Sequence, residues 1–114
     1  MGRPGDTDLT MAEAIKMRIT LDGDVAVVKV LMPHPMESGL RVDPKTNELV
    51  PKHFIHHVTA THNGRTVLEA QWSQAVSKNP FLEFRLRDAK SGDKVGVFWE
   101  DNKGDSNRFE TVIK

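Results

Sequence analysis

The stretch Met17-Arg18-Ile19-Thr20-Leu21-Asp22-Gly23-Asp24-Val25-Ala26-Val27-Val28-Lys29-Val30-Leu31-Met32 decides the fold. Met17, Ile19 and Leu21 alternate with Arg18 and Thr20, a period of two that places the two sets on opposite faces of a β-strand. Asp22-Gly23-Asp24 follows, and Asp-Gly tolerates the positive φ that a tight hairpin turn demands. Residues 25–32 are then almost continuously apolar and rich in β-branched side chains, which predicts a central strand. Pro33 and Pro35 stop it, because neither can donate a ladder hydrogen bond.

The same grammar continues along the chain. Residues 38–51 hold Asp43-Pro44-Lys45-Thr46-Asn47, a turn-rich loop. A strand is predicted over 53–62, and Asn63-Gly64 after it is the strongest short-range hairpin signal in the chain. The return, 66–72, puts Leu68, Ala70 and Trp72 on one face. In 81–86, Leu82, Phe84 and Leu86 share one side while Glu83 and Arg85 take the other. Val95, Val97 and Trp99 share a face over 94–100, with Trp99 read as core. Asp101-Asn102-Lys103-Gly104 forms a longer hairpin loop, and 107–113 closes the domain. About seven short strands with regular turn signals predict an all-β, antiparallel sandwich.

With 114 residues, one domain is expected, large enough to bury roughly two thirds of its unfolded surface without staples. Residues 1–15 read as a flexible extension, with a brief helical turn over 11–16, and residues 16–114 as the sandwich. Sixteen cationic and sixteen acidic side chains balance, so nothing points to nucleic acid or anionic lipid. Neutrality gives no help with solubility, which hints that some surface is covered by a partner. Without cysteine there is no disulfide, thiolate ligand or cysteine nucleophile. No apolar run is long enough to span a membrane, and the first twenty residues carry no signal-peptide pattern.

Candidate chemistry is thin. His53, His56, His57 and His62 fall in one segment, but His56 and His57 would point to opposite faces, and His53 and His57 would stand about 13 Å apart on one face at about 3.3 Å per residue. A metal draws its donors to within about 2.1 Å of one ion, so only a residue from elsewhere, such as His34, could complete a site. The reading is packing or surface histidines, with His53 and His57 on one outer face and no metal. Glu37, Glu83, Glu100 and Asp101 show no spacing that pairs two carboxylates for acid–base work. The serines lack a nucleophile elbow, and no phosphate-binding glycine loop or dinucleotide fingerprint occurs, so no cofactor is expected.

Two proline-stiffened segments stand out instead: His34-Pro35-Met36-Glu37-Ser38-Gly39-Leu40 and Ser77-Lys78-Asn79-Pro80-Phe81-Leu82-Glu83-Phe84. Methionine adapts to irregular surfaces, which makes Met36 a contact candidate as well as a core one. Pro80 keeps Asn79 out of the right-handed helical region and sets the entry to the strand. Phe81 then falls opposite Leu82 and Phe84, directed outward, where an aromatic anchor suits a protein partner. The candidate partner-binding residues are His34, Met36, Glu37, Asn79, Pro80 and Phe81.

These two segments, with Asn63-Gly64 and Trp99-Glu100-Asp101-Asn102-Lys103-Gly104, follow the order and spacing of the SoxZ family, which this chain resembles over roughly 17–113. The resemblance implies an immunoglobulin-like sandwich and a non-catalytic subunit of a sulfur carrier. In that family the substrate rides on a cysteine at the end of an arm of the partner, SoxY. The resemblance further implies a heterodimer or higher assembly with a SoxY-like chain, transient contacts with a cytochrome, a hydrolase and a sulfane dehydrogenase, and a periplasmic location reached by export with the partner. Two alternatives stay open on the residues alone: a histidine-based metalloprotein, and a generic sandwich interaction module.

Overall fold

The hairpin read from residues 17–32 is present as β1 (Lys16–Asp22) and β2 (Val25–Leu31), paired antiparallel with Asp22 opposite Val25 and Lys16 opposite Leu31. Gly23 takes φ +63° in the turn, a conformation that glycine adopts without a Cβ penalty. The computed structural model describes residues 14–114, and among them every regular element is a strand. The others are β3 (Ile55–His62), β4 (Arg65–Gln71), β5 (Phe81–Leu86), β6 (Lys94–Asp101) and β7 (Ser106–Val112). Asn63 and Gly64 both have positive φ between β3 and β4, as a primed hairpin turn requires.

The strands form two antiparallel sheets, one in the order β1-β2-β5 and one in the order β4-β3-β6-β7. The chain crosses between sheets after β2, after β4 and after β5, the non-local connectivity of an immunoglobulin-like sandwich. β2 is central in its sheet, as its apolar run predicts. Its inner residues Ala26, Val28 and Val30 are buried, facing a core that β3 fills with Ile55, Val58 and Ala60 and β6 with Val95, Val97 and Trp99. Leu82 and Phe84 pack against that core and Leu86 lies within it, so the face assignment of β5 holds.

Two expectations shift at the edges. β3 starts at Ile55, because His53 forms an isolated bridge with Glu37 in the loop after β2: Glu37 N donates to His53 O and His53 N donates to Glu37 O. Residues 1–13 of the expected extension, with the first half of the turn expected over 11–16, lie outside the described residues; the rest of that turn is not helical, since Ala14 and Ile15 have no regular structure, Ile15 packs in the core and Lys16 opens β1.

Candidate functional site

The two proline segments, far apart in sequence, meet at one end of the sandwich. The Met32 amide donates to Pro80 O at 2.9 Å, and the Asn79 amide donates to His34 O at 2.9 Å. The His34 amide donates in turn to Asn79 Oδ1 at 3.0 Å. This three-bond clamp fixes how the chain leaves β2 and enters β5. Asn79 enters it at φ +52°, a left-handed conformation that asparagine accepts readily, whereas Met36, two residues beyond His34, holds φ +48°, which a methionine occupies only when its surroundings impose it. Pro80 does keep Asn79 from the right-handed helical region, but the chain answers with a left-handed residue rather than an extended one.

Inside the clamp lies a polar knot. His34 Nε2 and His53 Nε2 both face Asp101 Oδ2, at 3.0 and 2.7 Å. Asp101 Oδ1 accepts the Lys103 and Asp105 amides, each at 2.9 Å, so the carboxylate meets four donors. His34 Nδ1 accepts the Met36 amide at 3.0 Å, and Met36 Sδ receives the Ile55 amide at 3.3 Å. His34 stands edge-on to both His53 and Trp99, with ring centroids 4.5 and 5.1 Å away. The indole Nε1 of Trp99 is buried and finds no acceptor among the described residues. Burial holds His34 below the ordinary histidine range, against the opposing pull of its hydrogen bond to Asp101. Burial raises the Asp101 carboxyl, but the hydrogen bonds from His34, Asp105, His53 and Lys103 together bring it below the usual carboxylate range.

His34, His53 and Asp101 offer one donor atom each, all within 4.8 Å of one another, so a metal centre must be tested. The tautomer decides against it. Because His34 Nδ1 accepts an amide proton, its own proton sits on Nε2, aimed at Asp101. Binding a metal through Nε2 requires that proton on Nδ1, directed at the Met36 amide. The donor set therefore fits a shared hydrogen-bond centre and not a resident ion in this loop conformation. A smaller pair of the same kind, His62 Nε2 with Asp93 Oδ2 at 2.8 Å, sits just before β6, whereas Asp101 ends it.

The candidate residues divide sharply. His34 and Met36 are 4% and 6% exposed, so the structure corrects their reading as surface groups: the clamp and the knot draw both inward. Pro80 is buried as well. Glu37 is half-buried and grips Arg41 through two parallel hydrogen bonds, which hold its carboxyl below the usual range. Asn79 is exposed, and Phe81 is 59% exposed, facing outward as its register implies. His53 does not share an outer face with His57; it turns to Asp101, while His57 lies between Glu69 and Glu100 at 3.4 and 3.5 Å. Asp101 shows no spacing that marks it as a centre, because Asp-Asn-Lys-Gly reads as a hairpin loop. The one signal in the sequence is an aspartate opening such a turn, whose carboxylate caps amides two and four residues on.

Elsewhere, the loop between β2 and β3 projects a short arm, tied by a bridge between Val42 and Leu49 and leaving Leu40 81% exposed. Val42 and Leu49 are exposed beside it.

Comparison with known proteins agrees with the resemblance read from the loops. The family described as sulphur oxidation protein SoxZ matches residues 15–112. A search of the curated proteins returned no match. Among solved structures, a hypothetical protein from Pyrococcus horikoshii OT3 superposes with a TM-score of 0.66 at 18% identity, covering 98% of this chain and 95% of that one. A superoxide reductase in the oxidised state gives 0.63 at 16% identity, with the same coverage of 98% and 95%. A superoxide reductase from Nanoarchaeum equitans gives 0.61 at 10% identity, covering 90% of this chain and 93% of that one. At such identities these likenesses speak for the sandwich alone.

Proposed function

The chain belongs to the SoxZ family of sulphur oxidation proteins, and from that membership we propose that it is the non-catalytic subunit of a SoxYZ-type sulfur carrier. In this reading it forms a heterodimer with a SoxY-like chain, whose cysteine arm holds the sulfur intermediate, and it helps present that arm to the enzymes of the system in the periplasm. The observation that carries the reading is a division of labour within the fold. The groups best suited to chemistry, His34, His53 and Asp101, spend their hydrogen bonds on one another and on the backbone. The apolar groups Leu40, Val42, Leu49 and Phe81 stand in solvent, available to another macromolecule.

A stable pair of this kind buries on the order of 1,600 Å² in total. Co-expression with a SoxY-like chain is expected to give a complex that co-elutes at micromolar concentration. Two proteins that elute separately under those conditions would refute the proposal. Turnover of a sulfur compound by the purified single chain would refute its non-catalytic part.

A further inference from the structure

The outer face of the three-stranded sheet carries charge that the fold does not use. Reading across the registers, its first outward row is Lys16, Leu31 and Phe81, and its second is Arg18, Lys29 and Glu83. Lys16, Arg18, Lys29, Leu31 and Phe81, with Met17, line a shallow cavity of about 310 Å³. Its wall thus holds three cations and no carboxylate. Among the described residues, no ion pair or side-chain hydrogen bond engages any of the three. Glu83 lies opposite Lys29 in the ladder without coming within ion-pair distance. The next outward row adds Arg85, equally unpaired. Three like charges along adjacent strands repel one another, so this arrangement is mildly unfavourable in the free chain. It becomes favourable when an anionic group lies between them.

We propose that this corner docks an acidic segment of a partner protein, one that places an apolar side chain against Phe81 and Leu31 and carboxylates beside Lys16, Arg18 and Lys29. The inference rests on the reading of the chain as a protein that works through partners, and it names a surface and a chemistry for one of them. Charge complementarity selects the occupant: an uncharged apolar segment would bury cations without partners, and a basic one would be repelled. The contact is small, with one exposed ring and a rim of solvated charges. That combination steers encounter and allows release, as a transient partner requires, and it is too little for a permanent interface.

The test uses the full chain, isotope-labelled for NMR, and a synthetic twelve-residue peptide alternating aspartate and glutamate around a single tryptophan. Amide shifts are expected to centre on Lys16, Arg18, Lys29, Leu31 and Phe81. Affinity should fall at least tenfold in the double variant R18E/K29E and should weaken steadily with added salt. Wild-type salt dependence keeps the test decisive if the double variant folds poorly. The proposal is overturned if the peptide produces no shifts at millimolar concentration, if a lysine-for-acid version binds equally well, or if the shifts centre on the arm at 40–49. It is also overturned if vesicles of anionic lipid or a DNA duplex bind this face more tightly than the peptide. Because the peptide assay needs no SoxY-like chain, its failure and a failure of heterodimer formation are separate results.

Discussion

At the His34 end of the sandwich, Asp101 meets four donors and His34 uses both ring nitrogens. On the outer face of the smaller sheet, Lys16, Arg18 and Lys29 have no side-chain partner among the described residues. Both regions flank the ends of β2 and β5, and both are rich in ionisable groups. The difference is solvent. A buried polar group left without a partner costs about 1–3 kcal/mol, so the knot is closed on itself. A solvated lysine costs little to leave without a partner, and it is free to meet something else. The contrast separates groups that hold this protein together from groups that can join it to another.

The comparison breaks most readily at Asp101. Asp101→Ala orphans two histidine Nε2–H groups and two amides at once, and a loss of about 3–5 kcal/mol is expected in urea denaturation of the isolated chain. A loss under about 1 kcal/mol would mean that the knot is incidental to stability.

Acid should act in the same direction. His34 and Asp101 both have folded values below their ordinary ones, so the unfolded chain takes up protons first as the pH falls. The stability due to His34 is complete above the ordinary histidine value near 6.5 and is lost as the pH falls through its lowered folded value. That due to Asp101 is complete above the ordinary aspartate value near 3.9 and is lost as the pH falls through its own lowered value. Urea midpoints measured across the acid range should therefore fall in two stages. A midpoint that rises on acidification would contradict the tautomer assigned to His34.

Smaller effects sharpen the other side of the contrast. Phe81→Ala removes a ring that is mostly in water, and a stability loss below about 1 kcal/mol is expected alongside weakened partner binding. A loss of several kcal/mol, as for a core aromatic, would place Phe81 inside. R18E/K29E should change the stability of the free chain by no more than about 0.5 kcal/mol in urea denaturation, since neither side chain holds an ion pair among the described residues. The smallest expected effect is none: zinc added at high micromolar concentration should leave the melting temperature unchanged. An ion that bound only the folded chain would raise it by mass action.

Much of this was legible along the chain. Asp22-Gly23 and Asn63-Gly64 mark the hairpins found at those positions, and the alternation of residues 81–86 assigns Phe81 outward and Leu82 and Phe84 inward. The two loops that carry the family resemblance are the two that the clamp joins. The inward turn of His34, Met36 and His53 was not legible. Each contact that draws them in depends on a partner remote in sequence or on a backbone conformation that no local pattern announces. Asp101 lies 67 residues from His34 and 48 from His53.

Strand identity, facing and turn position follow from the sequence because they depend on backbone sterics and on neighbours one or two residues away. Which histidines share a carboxylate, and which cations are left facing water, were decided only when the two sheets stacked and the loops between them took their paths. Those proximities arise from the packing of segments distant in the chain, and no period along the sequence encodes them.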